Sequence, residues 1–292
     1  MKGQMSGLHP AASFAFFFYV TVFSVLLMHP VMLGLSLGGA AAYALFLDRG
    51  KAPGWFLCFI LPVMVLTGVM NPLFNHRGVT VLFDLPSGNP VTLESMFYGL
   101  LAGVMVAAVI CWFFCFQRVI TPEKIVYLTG RVFPSASLIL TMALRFVPCF
   151  VRRLAWIGQA GKWLCPQASR TGAGKAMDQF SILVSWALEN AVETADSMKS
   201  RGYGLPGRTS FSPWRFDLRD GLFLAAATGL SLWVSLILAG GFLRWSYYPM
   251  LAGAALTPAG VSGLAAYGFL CFLPVLFEGR EALRWRYMKS RI

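Results

Sequence analysis

The chain has 292 residues, 57% of them hydrophobic and 12% charged, with a mean hydropathy of +0.66 and a formal net charge of +12. That balance lies well outside the range of soluble domains and specifies a membrane protein. The surplus of Lys and Arg must therefore be placed beside a bilayer, where its distribution carries information about topology.

Six apolar runs approach or reach the roughly 17 to 25 residues needed to cross a bilayer. They are Ala12 to Met28, Pro30 to Leu47, Gly54 to Met70, Met96 to Phe116, Gly221 to Phe242 and Pro258 to Phe277. Some are short and Pro62 interrupts the third, so two of the six could be tilted, broken or partly interfacial. Only Lys2 precedes the first run and His29-Pro30 follows it, without the small-residue pattern of a cleaved leader. It is expected to remain as a span.

Asn71-Pro72 should end the third run in a turn. Cys111 and Cys115 are one helical turn apart on a very apolar segment and read, with Cys58, Cys149, Cys165 and Cys271, as packing thiols. His9, His29 and His76 are scattered and lack metal-ligand spacing. Neither a metal site nor a bound cofactor is expected.

The charge of the connections alternates. Asp48 to Lys51 and Gln117 to Pro134 are basic, whereas Asn71 to Ser95 holds Arg77 against Asp84 and Glu94. Retention of basic connections on the cytoplasmic side puts both termini inside, the loops after the first and third runs outside, and the stretch after the fourth inside. The expected location is the plasma membrane, with multiple passes. From Arg145 to Arg215 ten basic residues face four acids, which is half of the net +12. Attraction to anionic lipid is one explanation. Nucleic acid is not an expected partner, since no module or basic stripe with interleaved stacking aromatics is present.

Ser135 to Leu164 and Ala176 to Arg201 both read as helices too amphipathic to be ordinary spans. In the second, Met177, Phe180, Val184, Leu188, Ala191, Ala195 and Met198 recur in steps of three and four, a single apolar stripe. In the first, Pro148 should kink or break the helix, and Arg152, Trp156, Gln159 and Trp163 line one side as headgroup-level side chains would. Cys165 to Lys175, with Pro166, Gly172 and Gly174, reads as the turn between them. A long pair of crossing or paired helices at the cytoplasmic face is expected, either a passive amphipathic anchor or a docking surface. The expected fold is thus all-α and polytopic. A region of four spans covers 1–134, the two long helices occupy 135–216, and a region of two spans with a basic tail covers 217–292.

Three segments in order carry a resemblance: NPLFNHRG at Asn71 to Gly78 with VTLESMFYG at Val91 to Gly99, then RFVP at Arg145 to Pro148, then SMKSRGYG at Ser197 to Gly204 with RTSF at Arg208 to Phe211. Together they resemble the transmembrane T component of energy-coupling factor (ECF) transporters. The resemblance implies a non-catalytic scaffold that joins two cytoplasmic ABC ATPases to a small membrane-embedded substrate-binding subunit, the S component. Vitamins are that family's usual cargo and transition metals its second. The chain carries no GxxxxGK[ST] phosphate loop, in keeping with hydrolysis by partner subunits.

By the same resemblance, SRG at Ser200, Arg201 and Gly202, with Lys199 before it, matches the second ATPase-coupling signature. The first falls in WIGQAGKWLC, around Gln159 and Lys162, and departs from the family by carrying lysine where arginine is usual. Lysine lacks the planar fork of arginine. Taken alone, Gly202 after Lys199 and Arg201 also reads as a plain helix C-terminus. Val184, Ala187, Leu188, Ala191 and Ala195 offer a smooth strip on which an S component would pack. A stand-alone secondary transporter or a membrane-embedded enzyme is the alternative, but the spans supply almost none of the ionisable groups either would need.

Overall fold

The computed structural model describes residues 4–48, 53–76, 78–84, 90–164, 172–206, 214–253 and 257–289. Helices dominate: α1 (Gln4–Gly7), α2 (Pro10–Leu26), α3 (Pro30–Leu47), α4 (Pro53–Phe74), α5 (Leu93–Val119), α6 (Pro122–Val132), α7 (Pro134–Leu164), α8 (Ala173–Ser200), α9 (Leu218–Ala239) and α10 (Pro258–Lys289). Six of them start on proline, whose fixed φ suits the first helical turn and whose missing N–H would have had no partner there. Side chains complete other starts: Thr92 Oγ1 accepts from the Ser95 amide (3.4 Å) and Thr257 Oγ1 from the Gly260 amide (3.3 Å).

All six expected spans are helical. Among the described residues five helical segments are long and apolar enough to cross a membrane: Pro30–Leu47, Leu93–Val119, Pro134–Trp163, Leu218–Ala239 and Pro258–Arg280; Pro10–Leu26 and Ile60–Phe74 are shorter apolar helices. The chain is a mostly helical, membrane-embedded protein by this measure. Three expectations change. Ser135 to Leu164, expected to be too amphipathic for an ordinary span, corresponds to Pro134–Trp163, which is by length and composition among the candidate spans, because its charges gather toward its second half (Arg152, Arg153, Lys162) and leave an apolar stretch of span length. Helix α4 does not stop at Asn71-Pro72 but runs through Pro62 and Pro72 to Phe74. The Asn71 side chain turns onto the Ser95 carbonyl (2.8 Å), and its backbone carbonyl accepts from the Asn75 amide (2.8 Å), which holds one more turn in place. The following loop also contains a short antiparallel pair, β1 (Val81–Asp84) with β2 (Pro90–Thr92), and a second pair, β3 (Trp245–Ser246) with β4 (Ala252–Gly253), lies between α9 and α10.

The chain divides into two compact units, one from Met1–Thr121 with Trp214–Ile292 and the other Pro122–Pro213. Helix α6, expected in the N-terminal region, therefore belongs with the two long helices. In the larger unit α5 packs on α4, α3 and α2, and α10 packs on α3 and α9. Glycines set the closest approaches. A Cβ at Gly103 would collide with Thr67 Oγ1 and come within 2.9 Å of Met64 Cα, and one at Gly99 within 2.8 Å of Asn71 Cβ. Gly99 and Gly103 are four apart, so both fall on the α4-facing side of α5 and let the two backbones touch.

At the centre of this unit, hydroxyls and an indole tie four helices together. Ser24 Oγ donates to the Val20 carbonyl (2.8 Å) and lies 2.6 Å from Ser36 Oγ and 2.9 Å from the Tyr267 hydroxyl, while Trp112 Nε1 donates to Ser36 Oγ (3.0 Å). All four side chains are buried. A polar atom left alone in hydrocarbon costs several kcal/mol, so a closed set of bonds both pays its way and fixes how α2, α3, α5 and α10 register.

The two ends of the larger unit differ. One collects the α2–α3, α4–α5 and α9–α10 connections: the Tyr247 hydroxyl donates to the Met28 carbonyl, Asn75 Nδ2 donates to the Tyr248 hydroxyl (2.9 Å), and the His29 and Trp245 rings meet edge-on at 5.2 Å. At the other, Asp220 accepts from the His9 amide (3.1 Å), Arg118 pairs with Asp48 (3.3 Å), and buried Glu278 accepts from the Tyr43 hydroxyl (3.3 Å).

Candidate functional site: a helical hairpin ending in a glycine turn

Helices α6, α7 and α8 build the smaller unit. Phe133 alone separates α6 from α7, and the turn is held by Ser137 Oγ donating to the Val126 carbonyl (3.1 Å), close above Gly130. Helix α7 is unbroken across Pro148. Of the kink or break expected there, no break occurs, and the proline carbonyl accepts from Arg152 Nε (3.3 Å) one turn later. Helix α8 begins at Ala173, three residues before its expected start, after Gly172 at φ 75°. The connecting residues 165–171, with Pro166 and Arg170, lie outside the described residues.

Helices α7 and α8 pack on one another through aromatic and small side chains. Phe150 meets Trp186 edge-on (6.0 Å), Phe146 stacks on Phe150 (5.8 Å), the Arg153 guanidinium lies over the Trp186 ring (5.1 Å), and Gly158 leaves room for Gln179. On α8 the half-buried positions are Gln179, Leu183, Trp186, Ala187, Asn190, Thr194, Ser197 and Met198, most of them three or four apart from another. The apolar stripe read from sequence is a different face. Met177, Phe180, Val184, Leu188, Ala191 and Ala195 are exposed, Leu188 by 66%, while Met198, the last residue of the stripe, is half-buried, and no residue of α8 is fully buried within the chain. Of the strip assigned to an S component, Ala187 alone turns toward the half-buried side.

The C-terminus of α8 follows from one glycine. Arg201 is the last residue near helical geometry, and Gly202 at φ 83° reverses the chain. The Gly202 amide donates to the Lys199 carbonyl (3.0 Å) and the Tyr203 amide to the Met198 carbonyl (3.0 Å), the paired bonds of a Schellman turn. Ser200 Oγ donates to the Ser197 carbonyl (2.9 Å). Lys199, Ser200 and Arg201 are exposed at this end. Gln159 and Lys162 are exposed on α7, and the antiparallel connection sets them toward the opposite end of α8. RTSF, from Arg208 to Phe211, lies outside the described residues. No three His, Cys, Asp or Glu converge as metal ligands among the described residues.

Sequence reasoning passed over several buried polar groups. Glu94, Asp220 and Glu278 lie within α5, α9 and α10 and are buried. Asp220 accepts from the Asp217 amide (3.1 Å) as well as from His9, and Glu94 accepts from the Thr80 amide (3.3 Å). The first two sit in the first helical turn, where a carboxylate meets free N–H groups; that position was the readable signal. Near the other end, burial lowers the pKa of His29, and burial with the neighbouring Tyr98 pushes Tyr247 up to about 12. Comparison of the chain with protein-family models and with curated proteins finds no match.

Proposed function

We propose that this chain is the membrane scaffold subunit of an ATP-driven uptake transporter of the ECF type, with α7 and α8 as its coupling helices. In this reading two cytoplasmic ABC ATPases dock at the hairpin's two ends, one around Ser200, Arg201 and Gly202 with Lys199, the other around Gln159 and Lys162. A membrane-embedded S component, for a vitamin before a transition metal, packs on Val184, Ala187, Leu188, Ala191 and Ala195. The chain contributes no catalytic residue.

The observation that carries the reading is that the apolar stripe of α8 faces away from α7 and is uncovered. Burying Met177, Phe180, Val184 and Leu188 against a partner is worth about 1.5–3 kcal/mol for each large side chain, on the order of 10 kcal/mol gross. A helix that leaves this much unburied suits a subunit rather than a free-standing protein. The Schellman turn supplies the second support: it stops the rod sharply and leaves Arg201 exposed at its end.

The test is Arg201→Glu in the chain purified with its co-expressed partners. Truncating a charge pair at an interface costs about 2–5 kcal/mol, whereas a charge at an exposed helix end is worth about 0.3–1 kcal/mol. Loss of ATPase subunits or of substrate uptake is expected. Uptake at the wild-type level with ATPases retained would reduce Arg201 to a helix cap.

A further inference from the structure

We propose that a groove between α3 and α10 holds one acyl chain of a membrane phospholipid. The inference does not rest on the coupling reading and shares no residue with it. Leu35 of α3 lines the groove on one side, and Val261, Ala265, Gly268, Phe269 and Phe272 line it along α10, at steps of four, three, one and three that keep all five on one side of the helix. Its volume is about 430 Å³ and every lining residue is apolar. Gly268 sets the close approach: a Cβ there would lie 3.5 Å from Leu35 Cδ1, so the two helices meet at this point, while Val261 and Phe269 stand 49% and 55% exposed beside it.

Position selects hydrocarbon as the occupant. Both helices contain segments long and apolar enough to cross a membrane, Pro30–Leu47 and Pro258–Arg280, and the groove begins three residues into the second. At roughly 1.5 Å per residue, the step from Val261 to Phe272 covers about 16 Å of helix. That is about half of the ~30 Å hydrocarbon core, the depth of one leaflet. A polar molecule would find no hydrogen-bond partner in such a lining. Width separates an acyl chain from the helix of a partner protein. Spread over its length, the groove has a mean cross-section of roughly 26 Å², whereas a helix with its side chains, about 10–12 Å across, fills roughly 80–110 Å². One extended alkyl chain fits inside; a helix would rest on the rim. Within lipid no hydrophobic energy is gained by covering apolar surface, so an occupant is favoured by contact alone, and a groove touches a chain on more sides than a convex helix face does. Selection is therefore by fit to the chain and not by the charge of the headgroup.

The full chain is reconstituted in nanodiscs containing a phospholipid with a diazirine midway along one acyl chain, irradiated, and its labelled peptides are identified by mass spectrometry. As the probe's share of the lipid is raised, label on residues 261–272 should level off, whereas label on the exposed face of α9 around Leu232 and Leu236 should rise in proportion. The two curves should be the same in phosphatidylcholine and in phosphatidylglycerol discs. Ala265→Phe/Gly268→Leu fills the groove and should lower label on 261–272 about fivefold, the scale of some ten lost carbon–carbon contacts. Gly229→Leu, whose Cβ meets nothing within 4 Å, should leave that label unchanged. Label that rises in proportion on both helices would overturn the proposal, as would label that persists in the filled variant or that follows headgroup charge. Label on 261–272 that disappears when co-purified partner subunits are retained would also overturn it and give the groove to a partner's helix. If the filled variant loses its helical circular dichroism, the titration of wild type decides, and a proportional rise on 261–272 overturns the proposal.

Discussion

The seam between α4 and α5 gives the most direct test of how the larger unit holds together. Gly103→Ala adds a methyl that meets Thr67 Oγ1 as well as Met64 Cα at 2.9 Å and the Met64 carbonyl oxygen at 3.0 Å. Two of these three atoms are backbone and cannot rotate aside, so the helices must part or α5 must shift. Overpacking of this kind costs about 1–3 kcal/mol, set against a gain of about 1 kcal/mol in helix propensity for Gly→Ala. Gly34→Ala is the matched control, because its Cβ meets nothing within 4 Å and collects the propensity gain alone. The two alanine variants should therefore differ by about 1–3 kcal/mol, with Gly103→Ala the less stable. Unfolding of the purified chain in detergent, followed by tryptophan fluorescence against temperature and against added denaturing detergent, measures the difference. Thr67→Ala in the Gly103→Ala background should recover only part of it, since the Met64 backbone stays in the way. A Gly103→Ala protein as stable as Gly34→Ala would refute the close backbone seam.

Ser36→Ala leaves Trp112 Nε1 without its acceptor at the centre of the bundle, and a loss of about 1–3 kcal/mol is expected by the same unfolding assay. Gly202→Ala forces a Cβ into φ 83° and toward Leu205 Cδ1 at 3.2 Å, at a cost of about 1–2 kcal/mol, and should show as faster hydrogen exchange of the Gly202 and Tyr203 amides with the middle of α8 unchanged. His29 has its pKa lowered by burial, and its Nδ1 has no hydrogen-bond partner among the described residues. Below pH about 6.5 the unfolded chain takes up a proton that the folded one refuses, so stability falls with pH until the lower folded pKa is passed. His29→Phe should flatten that part of the melting temperature against pH profile; an unchanged slope would show that His29 does not titrate between the two states.

How much of this was legible depends on which physical signal each element uses. Apolar length and proline placement suffice for α2, α3, α5, α9 and α10, because a bilayer demands both continuous hydrophobicity and a satisfied backbone. Helix α4 ran past its expected stop because Asn71 and Asn75 find tertiary partners in Ser95 and Tyr248, which no local rule supplies. The Ser24, Ser36, Trp112 and Tyr267 set was invisible for the same reason: each is an ordinary residue in its own helix, and only the packing of four helices brings them together. The spacing of Gly99 and Gly103 was on the page and was the available clue to the α4 seam. On α8 the periodicity identified the apolar stripe correctly, but periodicity cannot say which face meets the neighbouring helix. Trp186 and its contacts with Phe150 and Arg153 decide that, and they put the stripe outside.

The two units spend their hydrophobic residues in opposite ways. In the larger unit Phe16 and Phe17 meet Trp112 edge to face, Phe223 packs tilted on Phe16, and buried hydroxyls cross-link helices of the same bundle. In the smaller unit, α8 has no fully buried residue, and its most apolar face is its most open one. Local stability follows the number of partners a segment buries against, so the hairpin belongs to the low-stability end of the molecule and the bundle to the high-stability end. A rigid bundle joined to a hairpin with an open apolar face favours ligand-dependent ordering: whatever covers α8 changes the energetics of the hairpin far more than those of the bundle. Control by association would therefore act through α7 and α8.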